Sequence, residues 1–116
     1  MITNEIEIKK SRFITYLYKL EDEKQVQNIL DNIKKDHKKA RHIVYVYKYG
    51  NTAKINEDKE PKGTAGTPIF NVIEKSNINN ILIIVVRYFG GIKLGAGGLF
   101  RAYSKSASEI IKKLNN

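Results

Sequence analysis

The chain has 116 residues, enough for one hydrophobic core and not for a second full domain. Apolar residues make up 41%, as in a folded protein, and the absence of Cys excludes disulfides, thiolate metal ligands and cysteine nucleophiles. The net charge of +9 is uneven: residues 1–60 hold 13 Lys/Arg against 10 Asp/Glu, whereas residues 61–116 hold 8 against 2, so a polyanion is drawn to the second half.

The opening MITNEIEIKK lacks the apolar stretch of a targeting signal, and the longest apolar run, Ile81–Val86, is too short to cross a bilayer. A cytoplasmic protein without membrane contact is expected. Ile6 and Ile8 alternate with charged neighbours as in a half-buried strand. Phe13, Thr15 and Leu17 continue it in the opposite register, implying a bulge or tight turn near Lys10–Ser11. Asp22 with Gln25 suits a capping box, and Val26, Ile29, Leu30 and Ile33 share one face of a helix over about Glu23–Asp36. Lys34, Lys35, Lys38 and Lys39 crowd its C-terminal end, where the helix dipole favours cations. His37 lies in that solvated end.

HIVYVYKY, residues 42–49, reads as a strand with both faces occupied, its Tyr45, Tyr47 and Tyr49 forming a packing stripe rather than a base-stacking one. Gly50-Asn51 turns the chain into a short partner strand, Thr52–Ile55. NEDKEPKGTAG, residues 56–66, is the one substantial loop, and Thr67 followed by Pro68 marks the N-cap and first position of a short helix to about Ser76. Ile81–Val86 is a strand buried on both faces. Arg87–Gly98 carries five of the eight glycines, and Leu99, Tyr103, Ala107, Ile110 and Leu114 space out a final helix. The order is β-α-β-β-α-β-α.

Chemistry concentrates in two segments. In RYFGGIKLGAGGLFRAY (87–103) a buried strand enters a glycine-rich loop that opens a helix, which offers free backbone N–H groups and a positive helix end to an anion. The alternative is structural: glycines allow a sharp turn with positive φ, and Gly97 and Gly98 are expected there. Dinucleotide and Walker fingerprints fail, because Phe100 stands where the third glycine belongs and Lys93 lies between Ile92 and Leu94. In the 56–66 loop, Glu57, Asp58 and Glu60 with Thr64 and Thr67 suit a role as hydrogen-bond acceptors, a weak Mg²⁺ site or a general base, or form an exposed turn neutralised by Lys54, Lys59 and Lys62. His42 reads as a structural imidazole.

KKSRFI (9–14), the His42–Tyr47 strand, EPKGTAG (60–66) and RYFGGIKLGAGGLFRAY together resemble the Impact N-terminal domain family, whose bacterial members are the YigZ-type proteins, over roughly residues 5–110. The resemblance implies an α+β two-layer sandwich: about four strands with helices on one face, like the second domain of a small-subunit ribosomal protein, with a left-handed βαβ crossover. Two positions depart from the family's loop, where a glycine and a serine are replaced by Lys59 and Lys62. The family's bacterial members usually carry a further ferredoxin-like domain that these residues do not include.

The expected function is a translation-associated binding domain with no cofactor, no metal and no catalytic residue. Arg87, Lys93, Gly95, Gly97, Gly98 and Arg101 would contact RNA phosphate, the ribosome or a translation-related protein. Asp58, Glu60, Gly63, Thr64 and Gly66 would form the second half of a shared site. The rival enzymatic reading uses Glu60 or Asp58 as acid/base, Thr64 as hydroxyl and Gly95–Gly98 as anion cradle; a third makes the domain a protein-interaction module.

Overall fold

The computed structural model describes all 116 residues. Eight elements follow one another: β1 (Ile2–Ile8), β2 (Ser11–Lys19), α1 (Gln25–Asp36), β3 (His42–Tyr49), β4 (Thr52–Asn56), α2 (Gly66–Ser76), β5 (Ile81–Tyr88) and α3 (Gly95–Leu114). The sheet has five strands in the order β1-β2-β5-β3-β4, and each neighbouring pair is antiparallel. The α+β class is as expected, while the expected single first strand is a hairpin. Lys9 and Lys10, at φ 47° and 67°, make its tight turn without the glycine or asparagine that normally marks one.

The second difference is that helices cover both faces. Along β5, Ile81, Ile83 and Val85 pack under α2 and α3, while Leu82, Ile84 and Val86 pack under Val26, Leu30 and Ile33 of α1. This double cover is why the run is apolar at every position. The α1 face is the smaller core and is finished by polar bonds. Tyr47 donates its hydroxyl hydrogen to Glu23 (2.6 Å) and Tyr49 to the Glu21 carbonyl (2.8 Å). His37 is half-buried rather than solvated, its ring nitrogens 2.8 Å and 2.6 Å from the hydroxyls of Tyr16 and Tyr88. At the start of α1, Gln25 Oε1 accepts the Asp22 N–H (3.1 Å) and Asp22 Oδ1 accepts the Lys24 N–H (2.9 Å), the expected box one turn ahead of the regular helix.

The handedness follows from this topology. Strands β2 and β3 both run antiparallel to β5, so they are parallel to each other and α1 is their crossover. Strands β4 and β5 both run antiparallel to β3 and are joined by α2, on the other face and stepping back across the sheet. Reversing both strand direction and step is a rotation about the sheet normal, which preserves hand, and changing face inverts it. The two crossovers therefore have opposite hands, and one is left-handed against the usual preference. No helix is long and apolar enough to cross a membrane.

Helix α3 starts at Gly95, four residues before the expected Leu99, so Gly97 and Gly98 belong to its first turn and have ordinary helical backbone. Positive φ falls instead on Gly91 (90°) and Gly95 (74°). Gly90 is needed for packing: a Cβ there would lie 2.1 Å from the carbonyl of Lys10 in the first hairpin.

Candidate functional site

In one cross-strand row, Phe13 and His42 flank Arg87 on the α2/α3 side of the sheet. Arg87 donates Nε–H to Glu60 Oε2 (2.7 Å) and Nη2–H to Oε1 (3.0 Å), so the glycine-rich segment and the 56–66 loop do meet. The carboxylate is 1% exposed and the guanidinium side chain 8%. Tyr103, held edge-on against Phe13 with ring centroids 5.3 Å apart, donates a short hydrogen bond to Glu60 Oε2. Burial and then the Glu60 charge push the Tyr103 hydroxyl far above its ordinary range, so it remains a donor. Burial alone would lower the Arg87 pKa, but the bonds to Glu60 outweigh it and raise it. Arg87 is thus a buried counter-charge, unavailable to a ligand phosphate as a free cation.

The other acids of the loop are bound internally, not to the flanking lysines. Asp58 Oδ2 accepts the Ile43 N–H and the Asp58 carbonyl accepts from His42 Nδ1, each at 2.6 Å. Since a carbonyl only accepts, Nδ1 carries the proton, and Nε2 faces Glu60 Oε1 at 3.4 Å. Glu57 accepts the N–H groups of Gly63 (2.5 Å), Ala65 (2.9 Å) and Gly66 (2.7 Å) and so caps α2, the part expected of Thr67. Burial would raise the Glu57 pKa, yet these backbone donors overcome it and the carboxyl lies below its ordinary value. The Thr64 hydroxyl donates to the Pro61 carbonyl (2.5 Å).

Above the Glu60–Arg87 pair lies a cleft of about 390 Å³ between residues 59–61 and 89–96. Arg41, Lys59 and Lys93 are exposed on its rim and none is in an ion pair. Gly95 and Ala96 bring the first turn of α3, which has no side-chain cap and no acidic residue, to the same cleft. An anion there meets cations, a helix N-terminus and no free carboxylate. Of the expected residues, Glu60, Arg87, Lys93 and Gly95 line the cleft, and Asp58, Gly63, Thr64 and Gly66 build the loop behind it. Gly97 and Gly98 are not among its lining residues, and Arg101 lies with Lys105 along a separate groove on the exposed side of α3. Arg41, Lys59 and Phe89 are lining residues that were not expected. The N–H of Arg41 donates to the Arg87 carbonyl (2.8 Å), a contact between residues 46 positions apart that no local pattern announces. No group of three or more His, Asp or Glu side chains is arranged to hold a metal ion.

The sequence pattern of the Impact N-terminal domain matches residues 9–111. The IMPACT family member YvyE of Bacillus subtilis is 48% identical over 109 residues, 91% of this chain and 50% of that protein. The IMPACT family member YigZ of Escherichia coli is 35% identical, over 93% of this chain and 55% of its own length. The chain thus spans about half the length of the relatives it matches. The crystal structure of a hypothetical protein superimposes with a TM-score of 0.92 at 33% identity, covering 97% of this chain and 57% of the other. The two-domain translational regulator Yih1 shares the fold at a TM-score of 0.62 and 22% identity, covering 97% of this chain and 45% of its own.

Proposed function

The chain belongs to the Impact N-terminal domain family, and from that premise we propose that it is a translation-associated binding domain whose cleft takes a phosphate of RNA. The observation that carries this reading is the convergence of Arg41, Lys59 and Lys93 on a cleft whose only acid, Glu60, is already neutralised by Arg87. A fold shared with a translational regulator supports the cellular setting. Arg101 and Lys105, on the outer side of α3, add positive field beyond the cleft. The hydrolytic alternative built on Asp58 or Glu60 as base is disfavoured, because both carboxylates and the Thr64 hydroxyl are committed to internal hydrogen bonds.

Fluorescence anisotropy with a labelled single-stranded RNA tests the proposal. Three phosphate contacts give a log–log salt slope near −2.1, from roughly −0.7 per contact. Lys59→Glu with Lys93→Glu lowers affinity at least about tenfold more than Lys34→Glu with Lys35→Glu, although each pair shifts the net charge of +9 by the same amount. Equal losses reduce the binding to general attraction toward a basic protein. No binding at low salt overturns the RNA reading in favour of a protein partner.

A further inference from the structure

The cleft has a second half that a site for phosphate alone does not require. The Arg41 guanidinium lies over the Phe89 ring, 4.6 Å from its centroid. Phe89 is half-buried, and Pro61, Leu94 and Leu99 extend the apolar wall beside it. Arg41 is exposed and has no carboxylate partner, so the guanidinium face turned away from Phe89 is available. Its backbone bond to Arg87 fixes where the side chain leaves the sheet. A planar cation on an aromatic ring is a stacking platform for a nucleobase, because guanidinium and base both offer flat, polarisable faces.

Resting on the RNA reading above, we infer that the cleft holds one unpaired nucleotide, its base stacked on the Arg41–Phe89 pair and its phosphate beside Lys93. The cleft volume of about 390 Å³ lies at the small-ligand end of binding sites, suited to one nucleotide and not to a duplex. A base inside a duplex is already stacked and would have to be extruded first. The domain therefore prefers single strands, and the preference comes from Arg41 and Phe89 rather than from net charge.

Two variants separate stacking from charge. Arg41→Lys keeps the positive charge and loses the planar face. Phe89→Leu keeps apolar bulk and loses the ring, and its melting curve shows whether it still folds. Anisotropy is measured with a single-stranded RNA, with the duplex of the same sequence, and with inorganic polyphosphate as competitor. Each variant is expected to lose roughly tenfold in affinity for the single strand, the scale of one base stack, while competition by polyphosphate stays unchanged and the preference over duplex shrinks. If Arg41→Lys binds the single strand as the parent does, or loses RNA and polyphosphate equally, the stacking inference fails while the phosphate reading stands. If the parent binds neither RNA, both fall.

Discussion

The segments Asn56–Gly66 and Phe89–Leu94 reach the same cleft from opposite sides and use their charges in opposite ways. In the first, Glu57 caps α2, Asp58 ties the loop to the start of β3, and Glu60 neutralises Arg87. Its acids are structural, and the one most deeply placed is nearly sealed from water. In the second, Lys93 is exposed and free of ion pairs. The cluster dense in carboxylates therefore contributes no negative field of its own to a ligand, and the sparse one contributes positive field. What a charge can do depends on whether neighbouring donors and acceptors already satisfy it.

The sharpest way to break this contrast is to remove one charge from each segment. Glu60→Gln leaves Arg87 buried without its counter-charge and should cost about 3–5 kcal/mol in urea unfolding. Lys93→Gln should cost under about 0.5 kcal/mol. Similar losses would mean that the two segments do not differ as described. Glu57→Gln comes next, at about 2 kcal/mol, the scale of hydrogen bonds to a charged group. Its pH dependence has a definite sign. Folding lowers the Glu57 pKa from its ordinary 4.5, so the stabilisation is complete above pH 4.5 and is lost as pH falls through the depressed folded value. The stability of Glu57→Gln should fall less steeply than the parent's below pH 4.5; parallel acid curves would remove Glu57 from the role of charged cap. The smallest effect is a gain. Lys59 sits at φ 65°, and Lys59→Gly should relieve up to about 1 kcal/mol of left-handed strain while weakening RNA binding by removing one rim cation. A variant that is less stable than the parent would show that the lysine side chain contributes more than its backbone costs.

The parts of the fold that sequence patterns carry well are those set by burial. Ile81–Val86 is apolar throughout because both its faces are covered, and the final helix is marked by its repeat from Leu99 to Leu114. The hairpin at Lys9-Lys10 is harder to read because lysines occupy a turn whose backbone favours glycine or asparagine. The face on which α1 lies is not encoded in its own amphipathic period, since a helix with one apolar stripe fits either side of a sheet covered on both. In the candidate site, the two loops meet although β3 separates the strands that lead into them, β4 and β5. The 56–66 loop crosses the start of β3, where Asp58 bonds His42 and Ile43, before Glu60 reaches Arg87, and no pattern along the chain announces that crossing. The Glu57 cap reaches Gly66 across nine positions, and Arg41 meets Phe89 across 48, so neither contact leaves a local signature.

The position of β5 also governs how the protein is made. The middle strand of the sheet is the last strand in chain order, made after both hairpins, β1-β2 and β3-β4. Until residues 81–88 follow, each hairpin presents an open edge and neither can complete the sheet. The strand that must join them has no charge before Arg87 and is rich in β-branched residues, the composition that self-associates most readily when left unpaired. A free chain ending between residues 60 and 80 would thus be two hairpins awaiting the same partner. Arg87, at the end of that strand, is the first residue after Lys75 to carry a charge, and its burial against Glu60 is possible only once the strand has slotted between them.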